Sequence, residues 1–113
     1  MRVSGKIGNH QDFLIYRSGG GNTIEIDDLD VNSERRTGIG RRMFEKMLSE
    51  IPYNTWMIYA ITRKTNELGR KFYEGVGFKQ FAILEDFYVD GDAVIYGYWP
   101  CKSEQLDTTP SKG

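Results

Sequence analysis

The chain has 113 residues, 39% hydrophobic and 27% charged, which is enough for one domain with a buried core and excludes global disorder. With 15 basic and 16 acidic side chains the net charge is −1, so no electrostatic argument points to nucleic acid or a membrane surface. The lone cysteine, Cys101, excludes an internal disulfide, and the lone histidine, His10, excludes most zinc sites and disfavours a Ser-His-Asp triad.

Residues 3–16 read as a hairpin, with strand formers at Val3, Lys6 to Gly8 and Phe13 to Tyr16 and a turn at Gly8-Asn9. Arg17 to Asn22 is a glycine-rich loop. Thr23 to Val31 alternates as a strand does, but its parity slips at Asp27-Asp28, the trace a β-bulge leaves in sequence. From Gly38 onward Ile39, Met43, Phe44, Met47, Leu48 and Ile51 follow the helical period, with Arg41, Arg42, Glu45, Lys46 and Glu50 on the opposite face, and Pro52 ends the helix. Thr55 to Ile61 is a nearly unbroken apolar run, as expected of a central strand. A second helix starts near Asn66, buries a stripe of Leu68, Phe72 and Val76, and stops at Gly75 and Gly77. Two last strands, Lys79 to Val89 and Ala93 to Trp99, flank a turn at Asp90-Gly91.

This order predicts an α/β (α+β) domain over residues 1–100, with a parallel or mixed sheet and helices over its faces. Residues 101–113 form a polar tail expected to be disordered. No apolar run approaches ~20 residues and Met1-Arg2-Val3 opens no signal peptide, so a cytoplasmic protein is expected.

Two stretches carry chemistry. In Arg35-Arg36-Thr37-Gly38-Ile39-Gly40-Arg41, two glycines stand where a strand turns into a helix, leaving backbone N–H groups at the positive end of the helix dipole, with arginines beside them. That pattern suits phosphate oxygens, although a tight turn with solvated arginines would look the same. Neither the Rossmann nor the Walker spacing is present. In the second helix Asn66, Gly69 and Tyr73 fall along one face, apart from the Leu68 stripe. There Gly69 would admit a ligand and Tyr73 would offer a phenolic proton to a leaving group such as a thiolate, unless Asn66 is only a helix cap and Tyr73 a core-edge aromatic.

Together, Arg35-x-x-Gly38-x-Gly40 after a strand, then Asn66, Tyr73 and the Phe72-Tyr73-Glu74-x-x-Gly77-Phe78 helix ending, resemble the GNAT superfamily of acyl-CoA-dependent N-acyltransferases from about Thr23 to Trp99. The resemblance implies a mostly antiparallel mixed sheet with a splayed parallel strand pair and flanking helices. It implies acetyl-CoA as cosubstrate, its pyrophosphate on the amides from Arg36 to Arg41, with backbone groups of Leu29 and Val31 on the pantetheine and acetyl carbonyl. Asn66 would contact the cofactor and Tyr73 would protonate the departing thiolate. Glu25 falls where some histone-type members carry a general base, with Asp27, Asp28 and Glu85 as rivals. The sequence departs from the family at Arg36, where glycine is usual, and in the short stretch before the bulged strand, where the family has a further strand and two helices. The reaction implied is direct attack of a small-molecule or peptide amine on acetyl-CoA, with backbone N–H of the bulged strand holding the oxyanion. A CoA-binding module without turnover and an interaction protein that binds no CoA are the competitors. The aromatic-rich end, Phe78, Phe81, Phe87, Tyr88, Tyr96, Tyr98 and Trp99, is compatible with a homodimer surface or with core packing.

Overall fold

A computed structural model describes residues 3–31 and 38–100; Met1, Arg2, the stretch 32–37 with Arg35, Arg36 and Thr37, and the tail 101–113 with Cys101 lie outside the described residues. Strands β1 (Ser4–Gly8) and β2 (Asp12–Ser18) form the expected hairpin. Asn9 closes its turn, the side-chain oxygen accepting from the amides of Gln11 and Asp12 at 2.8 and 2.9 Å. Then come β3 (Thr23–Val31), α1 (Ile39–Glu50), β4 (Met57–Arg63), α2 (Glu67–Gly75), β5 (Lys79–Tyr88) and β6 (Gly91–Tyr98). The last hairpin turns on Val89-Asp90, one residue earlier than expected, because Tyr88 pairs with Gly91.

The six strands form one sheet in the order β1-β2-β3-β4-β6-β5, antiparallel throughout except for the β3–β4 pair. The apolar run of β4 is interior, as its composition requires. The two crossovers, β3-α1-β4 and β4-α2-β5, advance across the sheet in the same direction. A right-handed connection therefore puts both helices on the same face. The expected mixed sheet with flanking helices is present, with both helices on one face; among the described residues no helix covers the other one. Ile24, Ile26, Ile58, Val94 and Tyr96 of the sheet meet Met43, Phe44 and Met47 of α1 and Tyr73 of α2 in a single buried cluster. Tyr98 joins it too, with its ring edge-on to Phe44 at 5.2 Å.

The second helix docks differently from its apolar pattern. Leu68 is 56% exposed and Tyr73 only 6%. Its docking direction is set near its C-terminal end, where Tyr73 packs against Phe78 and Tyr96 and Phe72 presses on α1, while Leu68, a turn before Phe72, stays exposed. Of the aromatic-rich end, Phe78 and Tyr96 are core, whereas Phe81 and Phe87 stay exposed.

Candidate functional site

The site begins with a disagreement between two ladders. On one side β3 stays paired with β2 as far as Val31, opposite Asp12. On the other it pairs with β4 only from Thr23–Met57 to Ile26–Ala60. The β2 register passes from Tyr16–Ile26 to Ile15–Asp28 and so skips Asp27. Asp27 is thus the extra residue of a bulge, where the parity slip placed it, and a bulge bends its strand. Beyond it β3 leaves β4, and residues 27–31 and 61–63 become the arms of a fork. Leu29 and Val31 lie on the β3 arm, whose backbone has no ladder partner on the β4 side. Peptide groups in that position are donors and acceptors in want of a partner.

Beside the fork, α1 starts on Gly38, which holds φ 77° and ψ 13°, a left-handed conformation that a side chain would strain. Gly38 has no side chain with which to cap the helix, and no acidic residue stands in the first turn. Arg41 and Arg42 stand there instead, positive charge at the positive end of the dipole, an arrangement that an anion would relieve. The Arg42 N–H reaches the Gly38 carbonyl at 3.0 Å and closes the first turn. Gly40 is buried beneath Phe72, and a Cβ there would lie 2.7 Å from the ring. The Arg41 guanidinium donates to the Gly75 carbonyl at 2.8 Å, satisfying the end of α2 instead of standing free. Through Gly40 and Arg41 the start of α1 is tied to the Phe72–Gly75 end of α2, and so to Tyr73.

Asn66 caps α2: its side-chain oxygen accepts from the Gly69 amide at 3.1 Å and its amide donates to Thr62 at 2.9 Å. These bonds leave one N–H and one lone pair on Asn66. The space over Gly69 is not open to a ligand. A Cβ there would meet the Asn66 amide nitrogen at 2.5 Å, so the missing side chain makes room for the cap. Tyr73 is buried, and its phenol is held well above its ordinary pKa, first by that burial and second by the carboxylate of Asp28 on the fork.

The candidate bases separate clearly. Glu25 lies on the face away from the helices, between buried Ile24 and Ile26, opposite Tyr59 and one residue short of the last β3–β4 pair. Arg17 holds it at 3.3 Å and reaches Asp27 at 3.5 Å. Asp28 sits past the bulge, where its charge reaches Tyr73. Glu85 is on the edge strand β5, with β6 and β4 between it and the fork. Arg35, Arg36 and Thr37 lie outside the described residues. The structure thus brings Gly38, Ile39, Gly40, Arg41, Leu29, Val31, Asn66 and Tyr73 to the helix side and mouth of one fork, and Glu25 to its other side. Sequence reading missed Thr62, which anchors Asn66, and Tyr96, which stacks on Tyr73. Within an aromatic strand such as β6 nothing in the pattern sets Tyr96 apart. Among the described residues no three His, Cys, Asp or Glu side chains gather to hold a metal ion, and no helix is long and apolar enough to cross a membrane.

Four phenols, Tyr16, Tyr59, Tyr73 and Tyr96, are all held above 10, chiefly by burial. Raised values favour the neutral form in the fold, so the stability they contribute is complete below pH 10 and is lost as pH rises through the folded values. Thermal melts are expected to be flat on this account from pH 7 to 9 and to fall above about pH 10, each fully engaged phenol contributing a slope of about 1.4 kcal/mol per pH unit. Tyr73→Phe is expected to make that fall shallower; an unchanged alkaline slope would remove Tyr73 from the group.

No protein-family model and no curated protein matches the sequence. Solved structures do match. A protein of Desulfovibrio desulfuricans assigned as a GNAT-family acetyltransferase superposes with a TM-score of 0.71 at 22% identity, over 79% of this chain and 60% of its own. The chain has the GNAT fold. A protein of Bacillus anthracis assigned as a streptothricin acetyltransferase, solved with acetyl coenzyme A, shares that GNAT fold at a TM-score of 0.71 and 24% identity, over 78% of this chain and 54% of its own. A GNAT-family acetyltransferase of Elizabethkingia anophelis with acetyl-CoA bound gives 0.68 at 15% identity, over 78% of this chain and 67% of its own. The chain thus spans 60% and 54% of the length of the first two. At such identities the likeness is one of GNAT fold, and the chemistry has to be argued from this chain's own fork.

Proposed function

We propose that the chain transfers an acetyl group from acetyl-CoA to a primary amine. The observation that carries this is the fork: a β3 edge that has left β4, opened by the bulge at Asp27, beside the glycine start of α1 and the buried phenol of Tyr73. Two structures with the same fold hold acetyl-CoA, which supports that cosubstrate here. Acetyl-CoA supplies the activated acyl group. The first-turn amides, with Arg35, Arg36 and Thr37 before them, would hold its pyrophosphate, and the open space at Gly38 fits that use. Leu29 and Val31 offer backbone N–H and C=O to the arm and to the acyl oxygen, and Asn66 adds its remaining amide hydrogen. Tyr73, kept protonated by burial, gives its proton to the leaving sulfur on the helix side. Glu25, on the opposite face, takes the proton of the attacking amine directly or through water. Acid and base thus stand on opposite sides of the fork, which lets the nucleophile enter where the leaving group does not.

A second reading, a CoA-binding module without turnover, is favoured by one observation: Arg17 already engages Glu25. Two measurements separate the two. CoA at about 100 times its Kd is expected to stabilise the fold by about 2.7 kcal/mol, or roughly 10 °C in Tm, whereas adenosine is not. Thiol release from acetyl-CoA with a panel of polyamines, aminoglycosides, amino acids and peptide amines then decides for transfer. Stabilisation with no turnover on any amine would leave the module, and no stabilisation by CoA would end both.

A further inference from the structure

Tyr73 has three aromatic neighbours, and they are not equivalent. Phe72 and Phe78 meet it edge-on, with centroids at 5.5 and 5.2 Å and planes at 69° and 61°. Tyr96 alone stacks on it, 5.9 Å away and inclined by 27°. A stacked ring fixes the plane of its neighbour, and with it the plane in which the conjugated Tyr73 O–H prefers to lie. Tyr96 has no exposed surface, yet its own hydroxyl is fully used. It accepts from the Arg70 Nε at 3.0 Å and donates to a Glu74 carboxylate oxygen at 2.8 Å. Arg70 is itself braced by the Lys64 carbonyl at 2.8 Å and by Gln80 at 3.3 Å. Arg70 and Glu74 are one turn apart on α2 and bracket Tyr73 in sequence, so two bonds to one hydroxyl on β6 lock the helix against rotation about its axis.

Packing alone gives no reason for this hydroxyl. A phenylalanine would fill the same space and spare the burial of a polar group. Two charged partners on the helix that carries Tyr73 give one. We propose that Tyr96, clamped by Arg70 and Glu74, is a positioning residue that aims the Tyr73 phenol into the fork. The proposal rests on Tyr73 acting as proton donor, as proposed above. The clamp makes the rate of transfer, and not the affinity for acetyl-CoA, depend on a residue that touches neither substrate. It also makes α2 and β6 one rigid unit on the acid side of the fork.

Tyr96→Phe keeps the stacked ring and removes only the two bonds, and Arg70 and Glu74 remain free to pair with each other. In the full chain it is expected to lower kcat for thiol release about tenfold, since a small misplacement of a reacting group costs up to about 10²-fold. The KM for acetyl-CoA is expected to stay within about twofold, as for a loss confined to the transition state. Combined with Tyr73→Phe it is expected to add nothing, because a misaimed hydroxyl that is absent cannot matter. Glu74→Gln, which still accepts the hydroxyl's bond, should keep wild-type kcat, and Glu74→Ala, at an exposed position, should repeat the loss without risk to the fold. An unchanged kcat in Tyr96→Phe, or losses that multiply in the double variant, would overturn the proposal. Wild-type protein that is stabilised by CoA but releases no thiol would end the acetyl-transfer reading, and ring-flip rates of Tyr73 in carbon-13 tyrosine NMR would then decide the clamp by itself. Flipping at least about tenfold faster in Tyr96→Phe supports it, in line with the loss of two bonds that hold the helix. An unchanged rate overturns it.

Discussion

Tyr73→Phe is expected to lower kcat for acetyl transfer by about 10²-fold or more, the range typical of losing a positioned general acid. The KM for acetyl-CoA is expected to stay within about twofold, because the ring, which supplies the contact area, is retained. Stability should hold or rise slightly. The variant removes a hydroxyl from a site only 6% exposed and so spares the burial of a polar group. Rate and fold are therefore predicted to part company, which a packing role could not produce. The same burial that holds the phenol above its ordinary pKa keeps the proton in place throughout neutral pH, so no alkaline fall in rate below pH 10 is expected from this residue. It also makes the phenol a reluctant acid in isolation. A sulfur carrying developing charge beside that buried phenol would be raised in basicity for the same reason, and the match between the two would govern the transfer. Steady-state thiol release beside thermal melts checks both halves. Full activity in Tyr73→Phe would remove it as the acid.

Gly40→Val is expected to abolish stabilisation by CoA and to destabilise the fold by about 2–3 kcal/mol, an overpacking cost. A Cβ at position 40 would meet the Phe72 ring at 2.7 Å, and a branched side chain adds two further methyls. The helices must then separate, which moves the first-turn amides of α1 away from the Tyr73 end of α2. Helix propensity works the other way, since valine is a better helix residue than glycine by a few tenths of a kcal/mol, too little to compensate. Gly38→Ala is the control. It meets only the tip of the Arg42 side chain at 3.5 Å, but φ 77° makes it cost about 1–2 kcal/mol, with CoA stabilisation expected to survive. Adding Phe72→Ala to Gly40→Val should restore part of both losses, by returning the space between the helices. Urea unfolding with and without CoA reads all of these; CoA stabilisation that persists in Gly40→Val would detach the helix start from the cofactor.

Period and punctuation carried much of this molecule. The alternation of Thr23 to Val31 and its slip at Asp27-Asp28 marked both the strand and its bulge, because a bulge changes which face every later side chain takes. The 3.6-residue spacing from Ile39 and the pair Gly38, Gly40 marked α1 and its glycine start. Asn66 and Asn9 were legible too, since local side-chain bonds to backbone need only local sequence.

What lay beyond local sequence was direction and partnership. Leu68, Phe72 and Val76 form as good an apolar stripe as any, yet α2 turns Tyr73 inward, because Phe78, Tyr96 and the gap over Gly40 are contributed by other elements. That both helices take one face follows from the strand order, which no single segment encodes. Glu25 was one of four candidate carboxylates, with Asp27, Asp28 and Glu85; only the folded sheet brought Arg17 to it and set it across the fork from Tyr73. The sequence by itself determined where strands bend and helices begin, because those are choices of backbone angle and nearest neighbours. The tertiary structure decided which phenol is dry and what its ring stacks on, because burial and charge are summed over residues far apart in the chain.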